Sequence, residues 1–348
     1  MTRPRVGWYV HHHGRGHLAR LVAIAPHVDA DIICFSSFPR PEALPANCSW
    51  IQLERDDGPE PETGDAPGDR NPDADGLLHW APLLHGGHRR RLTAIATAIA
   101  ESPVSAFVVD VSVEVTLFVR LLGIPVVLMT QPGDRDDEPH RLAFRAATVV
   151  IAPWPQDLLH PEHLVGARNV VYVGGISRFD KPLNVDEPSS DGASRSGVVL
   201  LGGAGGSSVS ADSIDQAIAA TPGTDWSVLG VAGRQGAAWA DDPSAALRGA
   251  EIVVSWAGQN SIADIAVAGA KAVVIPQERP FGEQAQSAHA LERAGLAVVE
   301  PAWPTADAWP GVLHRARTLE PDWSRWQTAG AATRAAAHIT AVAGGARP

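Results

Sequence analysis

Short runs of aliphatic and β-branched residues recur along the chain, each closed by glycine, proline or a polar residue. They fall at Arg5–Val10, Asp31–Phe35, Ser49–Leu53, Ser105–Asp110, Ile124–Thr130, Thr148–Ala152 and Val170–Val173, then at Gly197–Leu201, Trp226–Gly230, Glu251–Val254, Lys271–Ile275 and Leu296–Val299. Their lengths and their punctuation by turn residues predict strands. Between them, apolar positions spaced three and four apart predict helices over Leu83–Ala100, around Glu114–Leu122, from about Val209 to Ala220, and over Thr305–Thr318 and Trp323–Val342. The stretch Glu251–Leu296 shows the unit best: strand, the turn Trp256-Ala-Gly258, a helix through Ile262, Ile265 and Ala266, then strand, polar loop and helix. Asn260 is placed to cap the first of these helices and Gly269 to end it. Alternating strand and helix predicts α/β architecture. The pattern starts afresh at Gly197 after the Pro/Ser/Asp-rich stretch Asp180–Ser196, so the chain predicts two Rossmann-like domains, over 1–170 and 171–325, with a terminal helix over 326–348.

Composition narrows this reading. A chain of 348 residues is long enough for two cores. A formal net charge of −11 argues against a nucleic-acid partner, which needs a basic face. The two cysteines, Cys34 and Cys48, make no disulfide framework, and no Cys/His cluster has zinc spacing. The first apolar run ends in histidines and is too short to span a bilayer, so a cytoplasmic protein with no transmembrane segment is expected, with peripheral contact at the inner face of a membrane as a variant. The segment 54–76 is acidic and rich in proline and glycine. It reads as a solvated loop, or else as a flap over a binding site.

The candidate chemistry sits in the turns after strands. The run Gly14-Arg-Gly16-His17-Leu-Ala-Arg20 follows the first strand. It is not a GxGxxG dinucleotide fingerprint, but its glycines let a backbone approach a ligand closely. Asp110 ends a strand, where parallel α/β sheets place ligands. It is a second candidate base, a partner for His17, or a helix cap for the turn at Ser112. His11, His12 and His13 are expected to alternate between core and cleft, and no metal is assigned. The second domain opens with Gly202-Gly203-Ala204-Gly205-Gly206-Ser207-Ser208, whose N–H groups and hydroxyls suit a phosphate. The helix after Gly258 would aim a further N-terminus at the same kind of anion.

These motifs together resemble the GT-B glycosyltransferases, and among them the MurG-type branch of glycosyltransferase family 28, which transfers N-acetylglucosamine from UDP. The resemblance rests on the GxGHxxR loop at residues 14–20, on Gly174-Gly-Ile-Ser-Arg178, on the loop 202–208, and on the segment 255–296. It implies two domains facing a cleft and a terminal helix crossing back to the first, with Trp323 and Trp326 as its anchors. It implies an inverting, metal-independent transfer from a nucleoside-diphosphate sugar, UDP-linked by preference, to an unknown acceptor hydroxyl, lipid-linked or small, without a cofactor. His17 would be the general base, with Asp110 the other candidate. Gly14, Gly16, Arg178, Gly203, Gly205, Gly206, Ser207 and Ser208 would surround the diphosphate. Arg234 would meet base or phosphate, and Trp256, Gly258, Gln259, Asn260 and Ser261 would form the turn facing the diphosphate. Asp264 would accept from the ribose hydroxyls, and Glu283 and Gln284 would touch the donor sugar. Asp264 stands where the family has Glu, Ser287 where it has Asn, and the polar pair is Glu-Gln. A nucleotide-sugar hydrolase or epimerase on the same fold, and a non-catalytic nucleotide-sugar binding module, are the alternatives.

Overall fold

The computed structural model describes residues 3–59, 64–167, 169–179, 195–203, 208–230 and 242–345. Among these, twelve strands form two wholly parallel sheets. The first contains β1 (Arg5–Tyr9), β2 (Asp31–Ser36), β3 (Cys48–Gln52), β4 (Ala106–Asp110), β5 (Val126–Met129), β6 (Val149–Ala152) and β7 (Val170–Tyr172) in the order β3-β2-β1-β4-β5-β6-β7. The second contains β8 (Val198–Leu201), β9 (Trp226–Leu229), β10 (Ile252–Ser255), β11 (Lys271–Val274) and β12 (Val298–Val299) in the order β12-β11-β10-β8-β9. Each expected strand is therefore present within a few residues. Since β7 pairs with β6, the first domain extends beyond the expected boundary at 170.

The sheets are sandwiched by α1 (Gly16–Ile24), α2 (Gly86–Glu101), α3 (Val113–Leu121), α4 (Glu138–Ala146), α5 (Ala211–Ala220), α6 (Ser244–Gly249), α7 (Gln259–Ala268), α8 (Glu283–Arg293), α9 (Trp309–Thr318) and α10 (Ala331–Ala343). Burial on both faces explains the unbroken aliphatic character of the strands: β4, β5, β6, β8 and β10 have no residue outside the buried class. Two helices, α4 and α6, were not expected from the pattern. For α4 the start signal is nonetheless local: the Asp137 side chain accepts from the His140 N–H and Pro139 occupies the first turn.

The last expected helix is two elements. Trp323–Trp326 forms a single 3₁₀ turn, and the chain then bends through left-handed Gln327 (φ 54°) and Gly330 (φ 71°) before α10. The break lets one stretch serve both domains. Trp323 donates to the Ala270 carbonyl of the second domain at 2.8 Å, while Ala332, Ala335, Ala336 and Ile339 of α10 pack with Val6, Trp8 and Ile24 in the first.

The acidic segment is also more structured than its composition implies. Asp56 is buried and bonded to Arg91 (2.8 Å) and His88 (3.1 Å), and Arg91 also bonds Ser37, the Glu54 carbonyl and Tyr9. Burial opposes ionisation of Asp56, but the neighbouring His88 and Arg91 outweigh it and hold the carboxyl below its ordinary range. The start of the segment, at Glu54 and Asp56, is thus tied down by an arginine from α2. The stretch 180–194, in the expected linker, lies outside the described residues.

Where the chain crosses between domains, the fit is tight. Gly174 has φ +82°, and a Cβ there would stand 2.2 Å from the Gln327 carbonyl oxygen. Arg334 of α10 donates to that same carbonyl and to the Val173 carbonyl at 2.6–3.0 Å. We expect Gly174→Ala to cost roughly 2–5 kcal/mol, combining left-handed strain with overpacking. Urea unfolding reads this directly. An unchanged midpoint would mean that the crossing tolerates displacement.

Candidate functional site

Each sheet reverses its strand order once. In the first, the chain runs outward from β1 to β3 on one side and from β4 to β7 on the other. In the second, β8 and β10 mark the same reversal. Turns leaving the carboxyl ends of strands at such a point splay apart and leave a crevice. The two crevices face one another across a cavity of about 600 Å³ lined by both domains.

Three helices begin at this cavity. α1 contributes Gly16 and His17, α7 contributes Gln259, Asn260 and Ser261 after the turn Trp256–Gly258, and α8 contributes Glu283 and Gln284. None of the three has a side-chain cap. Their first-turn N–H groups have no intrahelical partner, and with the helix dipoles they make the cavity favourable to an anion. Arg178 reaches the same cavity, as do Gly14 from the first domain and Gly202 and Gly203 from the turn after β8.

On the first-domain wall lies a buried charged cluster. Asp110, at the end of β4, has no solvent exposure. Its Oδ1 accepts from Arg20 Nη1 at 2.7 Å and stands 3.0 Å from His17 Nδ1. Burial alone would raise this carboxyl, yet Arg20 and His17 overcome it and hold the group below its ordinary range. Asp110, the other candidate base, lines no part of the cavity, whereas His17 does. Nor does it cap α3, since Ser112 does that by accepting from the Val115 N–H. With Nδ1 turned to Asp110, His17 leaves Nε2 as the nitrogen available to the cavity.

Arg20, which the sequence reading placed in the loop motif without a role, links the two walls. Its Nη2 donates to Gln259 Oε1 at 3.1 Å. Beside it, Asn260 Nδ2 donates to the Gly16 carbonyl at 2.8 Å. Asn260 is therefore not the cap of α7, a position held by Gly258. It lies in the first turn and faces the other domain. Gln259 and Asn260 join the walls as well as lining the space between them.

Asp264 departs most from expectation. It is 1% exposed and does not line the cavity. Its oxygens accept from Ser177 Oγ at 2.7 Å and Arg178 Nε at 3.0 Å. Burial pushes its carboxyl up against the opposing pull of Arg178 and Ser177. A side chain one methylene shorter than Glu, on an inward face of α7, meets the interdomain crossing before it meets the cavity. In this structure the residue expected to meet the ribose ties α7 to the interdomain crossing. Ser208 is similarly engaged, since its N–H and hydroxyl both reach Gln277 Oε1 at 3.0 Å, and it does not line the cavity. Gln284 accepts from the Gln277 N–H at 2.9 Å, while Glu283 Oε2 accepts from Arg135 at 3.4 Å. Gly205, Gly206, Ser207 and Arg234 lie outside the described residues.

Among the described residues, two clusters have metal-like composition. In the first, donor atoms of His12, His13 and Asp57 lie within 4.8 Å of one another, and Asp57 is held by Arg55. In the second, His79, Asp137 and His140 are similarly close, with Asp137 serving as the cap of α4. Burial lowers the His12 imidazole to about 4 and His11 well below its ordinary value, so both are neutral at pH 7. Of the three consecutive histidines, His12 is buried and His13 lines the cavity.

The architecture is matched end to end by solved structures. CalG4, the calicheamicin glycosyltransferase, is 16% identical with all of both chains covered and a TM-score of 0.66. A UDP-glucosyltransferase from Polygonum tinctorium, complexed with 3,4-dichloroaniline, is 16% identical over 99% of each chain with a TM-score of 0.65. The spinosyn rhamnosyltransferase SpnG with thymidine diphosphate is 16% identical over 98% of this chain and 96% of its own, with a TM-score of 0.59. This is the GT-B fold. Independently, residues 234–302 match the glycosyltransferase family 28 C-terminal domain. In this GT-B chain the matched segment runs from before α6 through β12, and it includes the first turns of α7 and α8.

Because Asp110 ionises below its unfolded value, its contribution to stability is present above about pH 4 and is lost as pH falls through the lowered folded value. Asp110→Asn, which leaves Arg20 without its buried counter-charge, should cost about 3 kcal/mol at neutral pH. The deficit relative to the native chain should shrink progressively below about pH 4. A deficit as large at pH 2 as at pH 7, in denaturant titrations, would show that the carboxylate charge contributes nothing.

Proposed function

We propose that this chain is a glycosyltransferase that moves a sugar from a nucleoside-diphosphate donor to an acceptor hydroxyl with inversion. The observation that carries the reading is the pairing, across one cavity, of the uncapped N-termini of α7 and α8 with a histidine backed by a buried carboxylate. Glycosyl transfer needs both. The departing nucleoside diphosphate gains negative charge, which the ends of α7 and α8, Gly203 and the Arg178 fork would spread. The attacking hydroxyl must lose a proton, which His17 Nε2 would accept while Asp110 stabilises the imidazolium through Nδ1.

The placement of these groups on opposite walls supports inversion. His17 approaches from the first domain, whereas α7, α8 and Arg178 approach from beyond the chain crossing. An acceptor activated by His17 would then reach the anomeric carbon from the face opposite the diphosphate. The positive ends and Arg178 supply the leaving-group stabilisation without assigning a role to a metal. A pyrimidine diphosphate donor is the favoured class: among chains of this fold, SpnG holds thymidine diphosphate and the Polygonum enzyme uses a UDP-sugar by its description. On the acceptor side Leu18, Val22, Pro41 and Ala43 line the cavity, which suits a hydroxyl carried on an apolar body.

The first test is a thermal-shift panel of UDP, TDP, GDP, ADP and NAD, with and without magnesium. A ligand that binds only the native state raises Tm by linkage. A shift with UDP or TDP that is indifferent to magnesium is expected, and a shift with NAD alone would sink the reading.

His17→Ala should leave that shift in place and lower transfer turnover by about 10²–10⁴-fold. Release of free sugar from the donor, measured without acceptor, separates transfer from hydrolysis. Full turnover in His17→Ala would remove the assignment of the base.

A further inference from the structure

We infer that Arg135, a first-domain residue, is a positioning residue for Glu283 and so makes recognition of the donor sugar depend on contact between the two domains. The inference rests on the reading above, in which Glu283 meets that sugar. Arg135 sits in the loop between β5 and α4, is 5% exposed and does not itself line the cavity. Each of its three nitrogens is engaged. Nε donates to the carbonyls of Gln131 and Pro132 at 3.1 Å, Nη1 to His140 Nε2 at 2.9 Å, and Nη2 to Gln131 Oε1 at 3.0 Å and Glu283 Oε2 at 3.4 Å. A guanidinium held at every corner has a fixed plane. Its two cavity-lining partners, Gln131 and Glu283, belong to opposite domains.

The surrounding contacts show that this approach is built into the backbone. Phe281, in the left-handed region (φ 62°), places its ring 4.9 Å from the Arg135 guanidinium carbon and beside His79 and His140. Its carbonyl accepts from the Asp134 N–H at 2.7 Å, and Gln286 Oε1 accepts from the Gly133 N–H at 2.8 Å. Gly133 has φ +106°, and a Cβ there would lie 2.4 Å from the Phe281 oxygen, so no larger residue permits this seating. The loop before α8 therefore docks on the loop before α4, and Arg135 is the group that passes the contact to the cavity. With Oε2 of Glu283 committed to Arg135, Oε1 is left to accept from a sugar hydroxyl. Nucleotide contacts through α7 and Arg178 do not pass through this loop, so the two parts of the donor are recognised separably.

The test compares dissociation constants by calorimetry for UDP, TDP, UDP-glucose and TDP-glucose, in the native chain and in Arg135→Met, Arg135→Lys, Glu283→Gln and Arg135→Met/Glu283→Gln. The native chain should bind a glucosylated nucleotide more tightly than the bare one. Arg135→Met should weaken only the glucosylated ligand, about tenfold, as for loss of one charge-assisted hydrogen bond. Arg135→Lys should fall between, because it keeps the charge and loses the fork. Glu283→Gln, partly exposed and isosteric, should reproduce the loss with the fold intact, and Arg135→Met should add less than twofold on that background. Equal weakening of bare and glucosylated nucleotides, or no weakening of either, overturns the inference while the transferase reading stands, as does a native chain with no preference for the glucosylated ligand. A native chain that binds none of the four removes both.

Discussion

A carboxylate with no access to water is the constraint around which this molecule is arranged. Asp110 ends the strand beside the switch point of the first sheet, and burial there would neutralise it unless partners were supplied. Arg20 and His17, one helical turn apart on α1, supply them, which sets the rotation of α1 about its axis. The consequences run outward from that rotation. Arg20, fixed at one end by Asp110, extends its other nitrogen to Gln259, and Gly16 at the head of the same helix accepts from Asn260. One buried charge thereby orients a histidine toward the cavity and ties the first turns of α1 and α7 across it.

A second tie lies where the chain changes domain. Ser177 and Arg178 hold Asp264 from one side, and Trp326 and Arg334 pack against Gly174 and Gly175 from the other. The crossing and the return of the chain touch one another, so the relation of the two sheets is set by packed backbone as well as by side chains. Asp110 and Asp264 make an instructive pair. Both are buried carboxylates, yet one is depressed and the other raised, because Arg20 and His17 together outweigh desolvation at the first while one arginine and a hydroxyl fail to do so at the second.

The sheets were legible in the sequence because a strand buried on both faces leaves an unbroken aliphatic run, and its register needs no partner to be named. That the loop Gly14–Arg20 and the turn Trp256–Ser261 line the cavity was legible for the same local reason: glycine after a strand and before a helix has few other uses. Helix α4 was hidden by Asp134–Asp137, which reads as loop until Asp137 is taken as its cap. What could not be read was the partner of each polar residue. Asp264 meets Ser177 across 87 positions of chain, Arg20 meets Gln259 across 239, and Arg135 meets Glu283 across 148. Spacing carries no trace of such pairs. The acidic segment shows the same limit, since Asp56 is buried only because Arg91 of α2 is there to receive it.

The two walls of the cavity differ in kind, and the difference bears on how the site can change. The second-domain wall offers backbone N–H groups at helix starts, which any nucleoside diphosphate would satisfy in the same way and which substitution of side chains scarcely alters. The polar groups of the first-domain wall are interlocked, so that altering Arg20 or Asp110 disturbs folding and His17 together. Pro41 and Ala43, however, line the same cavity from the connection between β2 and β3, remote in sequence from that cluster. Replacing them changes the shape of the cavity without passing through a buried charge. On the proposed reading, the fold separates the groups of proton removal from those of acceptor choice by placing the first on β4 and α1 and the second on a loop.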